Sequence, residues 1–222
     1  MSKINLSLCT GSMRFGGAEM QTLRMVKALS GRLFKKEVIY YSAKQTPELL
    51  KSFRESDCTV TLIDRDILGR RKFYSAVKKH FIKQNTDIAH CIYGRVNTNF
   101  GPPAYMAGVP VVLGGIRGQA QLNRFSDRVA LSLLNFLVNG WIVNSNTVKK
   151  QAIKRLFLRV KPIFNIPNGY EDLPEPMDRL REKYSHFRTH KYIIATCGRC
   201  QPIKNQWLFL KLAKAIVSKR QD

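Results

Sequence analysis

The stretch KINLSLCTGSMRFGGAEMQTLRMVKAL, residues 3–29, decides the fold. Residues 3–9 read as a strand, and residues 18–30 carry helical spacing. Between them a loop delivers Gly16 and Gly17 to the start of the helix. Outward from this unit the same beat recurs. Strands are expected at 37–42, 59–63, 87–93, 110–115, 140–145 and 162–167, with helices near 46–56, 70–84, 97–107, 120–138 and 146–158. Short strands alternating with helix-length amphipathic segments predict an α/β, doubly wound parallel sheet that ends near residue 170.

Composition then changes. The segment YEDLPEPMDRLREK, residues 170–183, holds five of the fifteen acidic residues and two of the nine prolines, whereas residues 88–170 hold one carboxylate, Asp127. This is a linker signature. Beyond it a strand at 191–198 and a helix over NQWLFLKLAKAIVSK form one βα unit. One such unit cannot cover its own apolar surface, so it either docks on the first domain or belongs to a domain that the chain does not complete. The expected organisation is therefore a domain at 1–170, an acidic, Pro-containing linker at 171–189 and the incomplete start of a second domain at 190–222.

In 222 residues, 38 Lys and Arg against 15 Asp and Glu leave a formal charge of +23. Anionic partners follow: phosphorylated small molecules, an anionic membrane face or nucleic acid. A hydrophobic fraction of 44% excludes wholesale disorder. No run reaches the roughly 20 apolar residues that span a bilayer, and the first residues lack a secretory pattern. Five cysteines, an odd count in a chain of this size, point to a reducing, cytoplasmic setting.

Each candidate site has a plainer alternative. Gly16 and Gly17 can bring backbone amides to an anion or a sugar hydroxyl, or simply make a tight turn. Arg199 and Lys204, five residues apart on a loop before a helix, suit a diphosphate, or are solvated loop charges. Cys197 and Cys200 form a C-x-x-C, but Pro202 follows and no second pair offers a zinc site, so they read as ordinary cysteines. His90 sits near the C-terminal end of its strand, the edge where open α/β sheets bind ligands, and equally reads as a core histidine. Two helices, around Phe73, Val77 and Phe81 and around Val148, Ala152 and Leu156, are basic and amphipathic. Either they lie on an anionic bilayer, or their apolar stripes face the sheet; the second reading is preferred.

The order of motifs is more specific than any one of them. FGGAE, DIAH, GVPVVLGGIRG, WIVNSNTVKK, IPNGYE and IIATCGRCQPIKN, in this succession, resemble the retaining nucleotide-sugar glycosyltransferases of GT-B fold. The resemblance implies two Rossmann-like domains facing across a cleft, with the acceptor mostly on the first and the nucleotide sugar mostly on the second. It implies that Arg199 and Lys204 grip the donor diphosphate and act in catalysis beside His90. Gly16, Gly17, Glu19, Arg117, Asn144 and Asn168 would contact substrate. No metal and no cofactor are implied; the donor, a UDP- or GDP-linked sugar, is a co-substrate. The acceptor would be a glycan or a lipid-linked sugar of cell-surface polysaccharide or lipopolysaccharide synthesis, at the cytoplasmic face of the inner membrane.

There are departures from the pattern. Ile92 stands where a second histidine is frequent, and Arg117-Gly118 where His-Gly is frequent. The family's paired glutamates lie beyond the stretch matching Lys204, so the chain is expected to be truncated within the donor domain and inactive alone. The alternative from another class is a non-catalytic basic module for an anionic membrane or nucleic acid; no RNA-binding strand motif or recognition helix supports the nucleic-acid form.

Overall fold

The structure is a computed structural model and describes residues 2–118, 124–156, 161–170, 194–198, 200 and 202–219. Seven parallel strands form one sheet: β1 (Ile4–Thr10), β2 (Phe34–Tyr40), β3 (Thr59–Leu62), β4 (Ile88–Cys91), β5 (Val111–Ile116), β6 (Gly140–Val143) and β7 (Ile163–Asn165). Their order is β3-β2-β1-β4-β5-β6-β7. The chain therefore winds outward from β1 in one direction and from β4 in the other, and the switch lies between these two neighbours.

Six helices cross between the strands: α1 (Gly17–Ala28), α2 (Pro47–Arg54), α3 (Arg65–Lys83), α4 (Gly94–Met106), α5 (Phe125–Leu134) and α6 (Asn146–Leu156). Strand alternation divides the core between the two faces of the sheet. Leu6, Leu8, Val38 and Tyr40 pack with Leu23 and Val26 of α1 and with Leu49 and Phe53 of α2. Cys9, Ile39, Ala89, Val112 and Trp141 pack with the helices after β3, through Phe73, Val77, Phe81, Phe100, Leu131 and Ala152. The rings of Phe73 and Phe100 meet edge-on, with centroids 5.7 Å apart. Burying one such ring contributes about 1.5–3 kcal/mol.

The two basic helices are thus core helices. Phe73, Val77 and Phe81 are essentially inaccessible, and Val148, Ala152 and Leu156 are buried. The helical spacing of this stripe also takes in Ile153, Phe157 and Val160 in the sequence, of which Phe157 and Val160 lie outside the described residues. α3 also starts earlier than its periodicity suggests. Asp64 caps a first turn by accepting from the amides of Asp66 (2.8 Å) and Ile67 (3.2 Å), and Gly69, at φ 68°, joins that turn to the rest.

Polar groups fasten the elements from within. The Asn97 side chain on α4 pairs with the Gly115 backbone like an extra strand, accepting from its N–H at 2.9 Å and donating to its carbonyl at 2.8 Å. Glu37, buried on β2, accepts from His80 of α3 (2.8 Å), Thr61 (2.7 Å) and Ser7 (3.1 Å). These bonds, His80 foremost, hold its carboxyl below the ordinary glutamate value although burial pushes the other way.

Compactness divides the chain into Met1–Gly169 and Tyr170–Asp222. In the second unit a 3-10 turn (Pro202–Lys204) precedes helix α7 (Gln206–Val217), none of whose residues is buried. The strand expected at 191–198 is not formed among its described residues, 194–198, which are irregular and exposed. No second sheet and no second Rossmann-like domain is present among the described residues. The physical reason is pairing: an apolar run becomes a strand only beside another strand that takes its hydrogen bonds.

Candidate functional site

The switch between β1 and β4 opens a crevice at the C-terminal edge of the sheet, where parallel strands leave their last backbone groups and diverging loops make room. A cavity of about 260 Å³ lies there, lined among others by Gln21 and Met25 of α1, His90 of β4, Arg117 after β5, and Ile166 and Asn168 after β7. Its rim is closed by the Gln21 side-chain amide, which donates to the Gly169 carbonyl at 2.8 Å.

His90 is 5% exposed, and its Nε2 has no hydrogen-bond partner among the described residues. Burial, with Arg117 as a neighbouring cation, lowers its pKa to about 3, so the imidazole is neutral at physiological pH. A neutral ring can accept a hydrogen bond as readily as donate one. Burial also lowers Arg117 from its ordinary value, opposed by the nearby Glu19 carboxylate. Its Nη1 donates to Asn168 Oδ1 at 3.4 Å, and its carbonyl accepts from Asn144 Nδ2 at 3.4 Å.

The glycine loop comes to the same edge through Glu19. The Tyr93 hydroxyl, just past β4, donates to Glu19 Oε1 at 2.8 Å, tying α1 to the end of β4. Burial and Glu19 together push the Tyr93 phenol well above its ordinary value, which keeps it protonated as a donor. Neither backbone angle nor backbone space demands a glycine at position 16: its φ of −166° is open to any residue, and a Cβ there would crowd only Glu19 Oε2, the far end of a flexible side chain. Around the Cβ direction of Gly17 the space is open.

Of the expected residues, His90, Arg117 and Asn168 line one cavity and Asn144 holds the Arg117 backbone, while Glu19, beside Gly16, is bonded to Tyr93 at the end of β4 without lining that cavity. Arg199 lies outside the described residues. Lys204 is exposed in the second unit. Sequence reading missed Tyr93 and Gln21. The signal for Tyr93 was its position directly after the strand that carries His90, at a sheet edge where ligands bind; Gln21 shares the helix of Glu19 but carried no signal of its own. Cys197 and Cys200 are exposed free thiols, and no cluster of metal-binding side chains occurs among the described residues.

No family model matches this chain, and neither does any curated protein. Solved structures do. Anabaena HepE (Alr3699), in complex with UDP and glucose, superimposes with a TM-score of 0.64 at 14% identity, over 82% of this chain and 50% of that protein. A glycosyltransferase from Rickettsia africae gives 0.61 at 16% identity, over 83% and 50%. A UDP-N-acetylglucosamine 2-epimerase gives 0.54 at 13% identity, over 82% and 55%. The chain spans about half the length of these proteins. At such identities the likeness is one of fold: the sheet and its helices are those of a GT-B-like fold, and they match one part of the longer chains.

Proposed function

We propose that the chain supplies the acceptor-side domain, with the first segment of the donor side, of a GT-B-type glycosyltransferase. It would move a hexose from a UDP- or GDP-linked donor to a glycan or lipid-linked acceptor in cell-surface polysaccharide or lipopolysaccharide synthesis. Residues 1–170 form the acceptor-side domain in this reading, 171–189 the linker, and 190–222 the start of the donor domain. The observation that carries it is the convergence of His90, Arg117 and Asn168 on one crevice at the sheet's switch point. Support comes from the shared fold of HepE, which was crystallised with UDP and with UDP-glucose.

In this reading the chemistry divides among the residues that the resemblance singles out. The donor's sugar–phosphate bond breaks as a bond to an acceptor oxygen forms, the acceptor hydroxyl's proton passes to the departing phosphate oxygen, and the nucleoside diphosphate leaves with negative charge. Arg199 and Lys204 offset that charge, an interaction strongest in the transition state. The neutral His90 ring accepts from a sugar hydroxyl, Arg117 and Asn168 orient hydroxyl or phosphate oxygens, and the Gly16–Gly17 amides at the start of α1 face the anion.

The test is amide chemical-shift mapping of the isotope-labelled chain titrated with UDP-glucose, a GDP-linked hexose and simple glycosides. Shifts confined to the His90, Arg117 and Asn168 backbone, weakened by His90→Ala, support the reading. Donor binding is expected to be weak in this chain, so silence at all three positions towards the glycosides, up to millimolar ligand, refutes it. Epimerisation of UDP-N-acetylglucosamine by the purified chain would replace it with another reaction.

A further inference from the structure

The two helices whose sequences look membrane-binding, α3 and α6, spend their apolar stripes on the core. α5 does the opposite. It buries Leu131 and Leu134 and leaves Phe125 (72% exposed), Val129 (41%), Leu133 (62%) and, just past its end, Phe136 (76%) in solvent. Their spacing of four, four and three residues puts all of them on one stripe. Four large apolar side chains contiguous on one stripe, unlike singly scattered ones, mark a docking face.

The cations around the stripe say what docks. Arg128 and Arg155 line the same cleft, of about 350 Å³, as Phe125, Val129, Leu133 and Phe136. The Arg128 guanidinium sits 5.6 Å from the Phe125 ring centroid, and its Nε is buried without a hydrogen-bond partner among the described residues. Arg155 is brought in by α6, which is fastened to α5 where Ser132 Oγ donates to the Leu156 carbonyl at 3.3 Å. Across residues 88–170 ten Lys and Arg face one carboxylate, Asp127. We propose that the outer face of α5 docks the protein on an anionic lipid bilayer, with Phe125, Val129, Leu133 and Phe136 entering the acyl boundary and Arg128 and Arg155 meeting lipid phosphates. The layering is what a headgroup region requires: rings and aliphatic chains toward the hydrocarbon, guanidinium groups alongside at phosphate depth. No helix among the described residues is long and apolar enough to cross a membrane, so α5 would lie on the surface. The inference is independent of the transfer reaction proposed above.

The test is co-sedimentation of the chain with phosphatidylcholine vesicles, with and without phosphatidylglycerol, at low and high salt. Binding should need phosphatidylglycerol, fall with salt, and drop at least about tenfold in the Leu133→Ser/Phe136→Ser variant, which loses only exposed groups and should melt like wild type. A second double variant, Trp207→Ser/Leu208→Ser, removes exposed apolar groups from α7 and should bind as wild type. The proposal is overturned if the α5 variant binds undiminished, if the α7 variant alone loses binding, or if binding ignores lipid charge. It is also overturned if wild type is a dimer that the α5 variant dissolves and neither binds vesicles.

Discussion

His90 makes the chain's stability depend on pH in a way that one substitution removes. In the folded state its pKa is about 3, whereas an unfolded chain takes up the proton near 6.5. Between these values the unfolded state binds more protons, so stability is full above pH 6.5 and falls as the pH drops toward 3. Linkage puts the loss from this ring at about 2 kcal/mol at pH 5 and about 3 kcal/mol at pH 4, relative to neutral pH. His90→Gln has a side chain of similar reach and no charge to gain. Urea unfolding of both proteins between pH 7 and pH 4 should show wild type losing stability relative to the variant by these amounts, because all other titrating groups are common to both. Parallel pH profiles for the two proteins would refute the claim that the imidazole is held neutral by burial beside Arg117. The same ring state is needed for His90 to accept from a substrate hydroxyl, so a failed stability test would also remove the chemistry assigned to it.

Three further outcomes are expected. Glu37→Gln should cost about 2–3 kcal/mol at neutral pH, since it weakens charge-assisted bonds from His80 and Thr61. The gap to wild type should shrink as the pH falls below about 4.5, where the depressed carboxyl protonates; urea midpoints across pH 7 to 3 check it. Gly115→Ala should cost about 3 kcal/mol, because its Cβ would overlap the Ile92 carbonyl and lie 2.6 Å from that of Cys91, both backbone and unable to yield; thermal melting reads it. Tyr93→Phe should cost about 1–2 kcal/mol by removing the bond to Glu19, and calorimetry should show the fold otherwise unchanged.

Much of this was legible in the residues, and the misses have physical causes. β2 was expected at 37–42 but begins at Phe34, because Lys35 and Lys36 look like loop residues. Lys36 is in fact buried, its ammonium donating to the Val26 and Leu29 carbonyls at 3.0 and 3.1 Å and so closing the end of α1. No local pattern shows that a lysine will meet the open carbonyls of a distant helix end. The site was legible as a set of strand ends, since each of His90, Arg117, Asn144 and Asn168 follows or ends an apolar run. Tyr93 and Gln21 joined it only because the β1–β4 switch places the end of β4 beside α1.

The sequence by itself determined the beat of strands and helices, the core stripes of α3 and α6 and the edge of the sheet where chemistry belongs. These depend on periodicity and local geometry, which neighbours along the chain carry. Only the tertiary structure decided the strand order, the neutral state of His90 and the exposed side of α5. α5 shows why: its sequence, FSDRVALSLL, is apolar on more than one side, and packing against α4 and α6 chose which side to bury. The terminal segment shows the converse. IATC, residues 194–197, has the composition of a strand, but strand formation is a property of pairs, and composition alone cannot supply the partner.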